Sequence, residues 1–236
     1  MTDDFNTLRA GTGGRVRGPH PGLTALAFTT LFLASLVPVT LLFSETHFPA
    51  PYQPADEVVA YFRAEGPKVR ACAFLQFLAA SALGVLTAAL TSRLRADGAG
   101  GAIALFGGLA GSFFMAASAL VQWTLGQPGI ADDAGLTRAL YFLLFATGGV
   151  GYTVPLGLLT AGLSASAASA RLWPRWLTAS GLALGGVGLL SSLTLVVPGA
   201  LPLIPLTRFP GFAWLVAAGF YPRAHSPTRT EPTDET

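Results

Sequence analysis

Few side chains in this 236-residue sequence could do acid–base or metal chemistry. Glu45 and His47 form a Glu-x-His pair behind the first apolar run, and Asp132 and Asp133 stand together ahead of the fourth. Glu57 lies between them in sequence, at the start of an amphipathic stretch. A carboxylate pair beside an imidazole can shuttle a proton or hold a divalent cation. Glu45, Glu57, Asp132 and Asp133 are therefore the candidate catalytic residues, as proton donors to a lipophilic substrate. Neither spacing is specific, and solvated loop charge is the simpler reading. Asp132 and Asp133 also suit a helix N-terminus, where negative charge is favoured. Cys72 is the only cysteine, so no internal disulfide, Cys-cluster metal site or Cys-x-x-Cys redox motif can form. The string Gly162-Leu-Ser-Ala-Ser166 has serines but no histidine placed to activate them. No metal and no cofactor are expected.

A second set of residues offers hydrogen bonds without charge. Gln76 and Gln122 lie inside long uncharged runs, and Tyr152 and Thr153 flank a glycine cluster in "ATGGVGYTVPLG", residues 146–157. Such groups hold transmembrane helices together or line a pocket; Gln76, Gln122, Tyr152 and Thr153 are the candidate ligand-binding residues. Pro155 lacks the N–H that would bond to the Gly151 carbonyl, and its ring crowds that carbonyl. Gly148, Gly149, Gly151 and Pro155 are thus the expected hinge of a kinked helix, with Tyr152 and Thr153 turned inward. The string Val-Gly-Tyr also occurs in potassium-channel filters, but a filter needs a re-entrant loop and four copies around one axis.

These residues must be positioned by elements that live in lipid. Hydrophobic residues make up 52% of the chain and charged residues 11%, against about 25% charged in soluble domains. Mean hydropathy is +0.56. No basic patch with interleaved aromatics is present, which removes nucleic acid as a partner. Crossing ~30 Å of hydrocarbon takes about 20 helical residues. Uncharged runs cover 21–44, 71–92, 98–131, 139–170 and 176–207, with a shorter one at 209–222. They predict an all-α polytopic bundle of six transmembrane helices at about 21–44, 68–92, 100–125, 137–165, 175–197 and 207–222. The last is either a short span with Arg208 and Arg223 reaching out at its ends or a re-entrant segment. The first run is longer than a signal-peptide core and has no convincing cleavage site behind it, so it reads as a retained helix.

Arginine and lysine set the orientation. With the N-terminus inside, nine basic residues (Arg9, Arg15, Arg17, Arg93, Arg95, Arg171, Arg175, Arg223, Arg229) are cytoplasmic and five (Arg63, Lys68, Arg70, Arg138, Arg208) are outside. Both termini then lie in the cytoplasm of a bacterial inner membrane. One transmembrane domain spans 21–222, between disordered tails at 1–20 and 223–236. Residues 54–65 read as a short amphipathic helix stopped by Gly66-Pro67, its face of Ala55, Val58, Tyr61 and Phe62 lying on the outer leaflet or packing on the bundle.

"LGVLTAALTS" at 83–92 echoes "LGLLTAGLSA" at 156–165, with weaker matches on either side. A tandem repeat of two helical hairpins is one reading and chance similarity the other. Gly107 with Gly111, and Gly181 with Gly185, are G-x-x-x-G pairs that favour close helix contact within one chain, in a homo-oligomer or with a membrane partner. The stretches "DEVVAYFR", "FLQFLAA", "TRALYFLLFATGG", "VPLGLLTAGLS", "LWPRWL" and "RFPGFAWLVAAGF" together resemble a family of uncharacterised bacterial inner-membrane proteins with about six helices. The resemblance covers roughly residues 55–222; it implies a helical inner-membrane protein and no activity. Three functions are then expected: binding or export of a lipophilic small molecule within the bundle, an isoprenoid-type cyclase or isomerase, or a non-catalytic accessory subunit.

Overall fold

The computed structural model describes residues 18–40, 49, 52–94 and 98–221. Glu45, His47 and most of both tails lie outside the described residues. The described chain is helical, with no strand: α1 (Pro21–Thr40), α2 (Ala55–Leu94), α3 (Ala99–Leu125), α4 (Ala134–Ala146), α5 (Tyr152–Ser169), α6 (Arg175–Leu190) and α7 (Leu203–Phe220). A π-helical stretch, Thr147–Gly151, joins α4 to α5, so that Ala134–Ser169 is one helix of 36 residues. Five helical stretches are long and apolar enough to cross a membrane, and α1 is a sixth, shorter apolar helix. Each packs on its neighbours in sequence, and α7 returns onto α1 to close the bundle.

The outside of the bundle is apolar, and hydroxyl side chains are buried among the apolar ones of its inside. Phe74, Phe106 and Phe113 are more than 60% exposed, whereas Thr87, Thr153, Thr160 and Ser164 are buried. The three threonine hydroxyls bond back onto carbonyls of their own helix, as Thr87 Oγ1 does to Leu83 O at 2.8 Å and Thr160 Oγ1 to Gly157 O at 3.0 Å. Helices approach closely where glycines meet backbone. A Cβ at Gly107 of α3 would lie 2.6 Å from Leu159 N of α5, and one at Gly188 of α6 would lie 2.8 Å from Gly157 Cα. Gly219 of α7 meets Gly22 of α1 in the same way. Gly181 faces Trp214 and Ser164, and Gly185 faces Ala161. These glycine faces are therefore used inside this chain.

Two expected boundaries move. The helix does not stop at Gly66-Pro67: α2 runs 40 residues, about 60 Å at ~1.5 Å per residue, roughly twice the hydrocarbon thickness. Pro67 and Arg63, whose carbonyl loses its partner, lie on the exposed side, where solvent can satisfy it. Gly66 is buried against the Gly126 carbonyl, which also accepts from Arg70 Nη1. That contact with the end of α3 holds the helix through the proline. The amphipathic face goes to the bundle: Val58, Tyr61 and Phe62 are 2–3% exposed and cluster with Leu125, Ala131 and Tyr141. At the other end of the chain, the last crossing starts earlier than 207. Its apolar stretch is Pro198–Phe220, 23 residues, with Arg208 inside it and not at its mouth.

The α5–α6 turn ends without glycine. Leu172 N donates to Ala167 O at 2.9 Å and Arg171 N to Ala168 O at 3.1 Å, a Schellman closure with Arg171 at φ 52°.

The glycine contacts give a matched pair of outcomes. Gly107→Ala should cost about 1–3 kcal/mol in detergent-induced unfolding, since the clash is with α5 backbone that has no rotamer to yield. Gly186→Ala, on the open face of α6 with nothing within 4 Å, should be neutral or stabilising by up to about 1 kcal/mol.

Candidate functional site

The centre of the Ala134–Ser169 helix cannot keep regular α bonding, because Pro155 has no N–H to give Gly151. In lipid a loosened carbonyl must be satisfied by protein. Three side chains from three helices donate to carbonyls just ahead of Gly151, those of Leu144, Gly148 and Gly149. Ser118 Oγ of α3 donates to Leu144 O at 3.2 Å. Thr153 Oγ1 of α5 donates to Gly149 O at 2.7 Å. Arg208 Nη2 of α7 donates to Gly148 O. The glycines allow this approach: a Cβ at Gly148 would collide with Ser118 Oγ, and one at Gly151 would lie 3.0 Å from the Phe114 ring. The expected hinge is thus a π-helical turn, a form of helix break that recurs at functional sites.

Opposite this turn the bundle leaves a cavity of about 280 Å³. Helix α1 supplies Phe32 and Leu36, α2 supplies Cys72 and Gln76, and α3 supplies Met115, Ser118 and Gln122. The broken helix contributes Tyr141, Leu144, Phe145, Gly148, Gly149 and Tyr152, and α7 contributes Ile204 and Arg208. Most of this wall is apolar, with a few polar groups converging, the usual make-up of a small-molecule site. Its volume is close to the lower end of the roughly 300–1,000 Å³ such sites occupy. Gln76 Nε2 lies 3.6 Å from Cys72 Sγ, and Tyr141 Oη donates to Pro49 O.

Among the described residues Arg208 is the one charged residue on the cavity. Its guanidinium carbon stands 5.4 Å from the Phe32 ring centroid and 5.2 Å from that of Tyr152, so two aromatic faces hold the cation. Among the described residues its Nε is buried without a hydrogen-bond partner, and so is the Tyr152 hydroxyl. Among the described residues the ion pairs are Arg63–Asp132 and Lys68–Glu65, and no carboxylate pairs with Arg208.

Gln76, Gln122 and Tyr152, far apart in sequence, are brought together on this cavity. Thr153 is buried behind the wall, where its hydroxyl serves Gly149. The described acidic candidates do not meet there. Glu57 is exposed at the start of α2. Asp132 pairs with Arg63 at 3.1 Å, both more than half exposed. Asp133 caps α4, accepting from Leu136 N at 2.9 Å. Among the described residues no group of three or more His, Cys, Asp or Glu side chains is placed to hold a metal ion.

Arg208 was missed as a cavity residue because a search for uncharged runs ends a helix wherever it meets an arginine. The available signal was its spacing: Ile204 and Arg208 are four residues apart, on one helical face. Phe32 and Ile204 also place the first and last helices among the walls of the site.

Comparison with protein-family models, with curated proteins and with solved structures finds no match to this chain. The functional reading therefore rests on the residues themselves.

Removing the caps should separate structural from incidental charge. Thr153→Val and Asp133→Ala should each cost on the order of 1 kcal/mol in detergent-induced unfolding, because each leaves a helix backbone group unpaired. Asp132→Ala should stay within about 0.5 kcal/mol, as for other exposed ion pairs.

Proposed function

We propose that this chain is a multi-pass membrane protein that binds a lipophilic small molecule inside its helical bundle, for retention or export. The observation that supports the reading is the cavity of about 280 Å³ facing the π-helical turn, with apolar walls and the amides of Gln76 and Gln122 among them. The excess of arginine on one side argues for a bacterial inner membrane with both termini in the cytoplasm. Compared with a cyclase or isomerase, binding needs no proton donor at the cavity, and the acidic residues among the described ones lie elsewhere. An accessory role through glycine faces has less in its favour, because those faces are used within the chain.

The test uses the full chain in nanodiscs of zwitterionic lipid, with radiolabelled decanol as the probe and empty discs as background. Wild type should show saturable binding. Met115→Trp, which fills the cavity from α3, should weaken it by about tenfold or more. Equal binding by wild type and Met115→Trp, in a variant whose unfolding midpoint is unchanged, would remove this cavity as the site.

A further inference from the structure

We propose that the ligand of this cavity is a lipophilic anion whose oxyanion head, a carboxylate or a phosphate, is held by Arg208 and the Tyr152 hydroxyl; this rests on the binding function proposed above.

A guanidinium in a transmembrane helix is costly unless something balances its charge. Around Arg208 the described residues offer one carbonyl and two ring faces, and these contacts leave a full positive charge in place. The Gly148 carbonyl engages Nη2 alone, while Nε stays buried and unbonded. Beside it, the Tyr152 hydroxyl is buried with no partner either. Buried polar groups are almost always hydrogen-bonded, so two orphaned donors on adjacent residues of one cavity call for a shared acceptor. The acceptor that meets both needs is an anion. An oxyanion takes hydrogen bonds from a guanidinium and a phenol and neutralises the cation at once.

The rest of the cavity sets the body of the ligand. Leu36, Met115, Leu144 and Ile204 share the wall with Arg208, so the group attached to the anion is apolar. Carboxylates in the described chain cannot substitute for it. Asp56, Glu57, Glu65, Asp132 and Asp133 all belong to the N-terminal half of α2 or to the α3–α4 connection, and none lines the cavity. Gln76 and Gln122, neutral amides on the same wall, leave the arginine charge unopposed and can donate further hydrogen bonds to a bound oxyanion.

The experiment compares decanoate with decanol, which share a chain and differ in charge, on the full protein in zwitterionic nanodiscs at a pH where decanoate is ionised. Wild type should prefer decanoate by roughly 10–100-fold, the worth of a charge-assisted hydrogen bond. Arg208→Gln should bring decanoate to the level of decanol. Tyr152→Phe, which keeps the ring and removes only the orphaned hydroxyl, should lower the preference several-fold; it decides the matter if Arg208→Gln does not fold. Glu45→Gln should leave the preference intact, whereas a gain in decanoate affinity would make Glu45 the resident counter-charge and overturn the proposal. Equal affinities in wild type, or a preference that survives both Arg208→Gln and Tyr152→Phe, would overturn it as well. Saturable decanol binding that Met115→Trp abolishes would, in that case, leave the lipophile reading standing by itself. Discs containing phosphatidylglycerol separate the two sources of the anion: competition assigns the site to a lipid head group, and no competition assigns it to a free acid.

Discussion

The bonding of the Gly148 carbonyl to Arg208 is the contact on which the rest of this bundle depends. Pro155 removes a regular α hydrogen bond at the centre of the uncharged run 139–170, and lipid cannot repair the loss. Helix α3 brings Ser118 to the Leu144 carbonyl, and α7 brings Arg208 to that of Gly148. Both helices must pass within hydrogen-bonding reach of the turn, so the turn organises the bundle around itself. A cation used as a hydrogen-bond donor to backbone, with aromatic rings of Phe32 and Tyr152 about it, is tolerable inside a membrane protein where a bare cation is not.

Packing on the two halves of the broken helix is then unequal. Beyond the turn, α5 meets α3 and α6 through glycines at backbone distance, with Gly107 against Leu159 and Gly157 against Gly188. Before it, α4 carries larger side chains, Tyr141, Leu144 and Phe145, which cannot let helices approach so closely. The helices separate on that side and the cavity opens between them. Tight contact below and free volume above follow from the same change in residue size along one helix, from Gly, Ala and Ser to Leu, Phe and Tyr.

The water-facing end of the bundle obeys different rules. There α2 continues past Pro67 because solvent can take the freed carbonyl, which a lipid environment would forbid. Its charged groups are spent on structure. Arg70 holds the end of α3 through Gly126, Arg63 reaches the α3–α4 connection, and Asp133 caps α4. Asp132 and Asp133, adjacent in the sequence, thereby have separate local duties. Among the described residues the one charge on the cavity is the positive one of Arg208.

Much of this was legible in the residues alone. Uncharged runs of about 20 residues dictate membrane-embedded helices, because backbone in lipid has no other way to satisfy itself. Gly148, Gly149, Gly151 and Pro155 located the break, since their effect on helix bonding is local. The inward facing of Tyr152 followed as well, and it is fully buried. What could not be read was anything depending on which helix stands next to which. Continuation of α2 through Gly66-Pro67 is decided by the Gly126 contact, 60 residues further along. The place of Arg208 is decided by a carbonyl 60 residues before it. In sequence that arginine is indistinguishable from a loop charge ending a helix, because local chemistry reports only the cost of burying a cation. Tertiary structure supplies what offsets the cost: a carbonyl freed by the π-helical turn, two aromatic faces, and a cavity in which a guanidinium has room for a further partner.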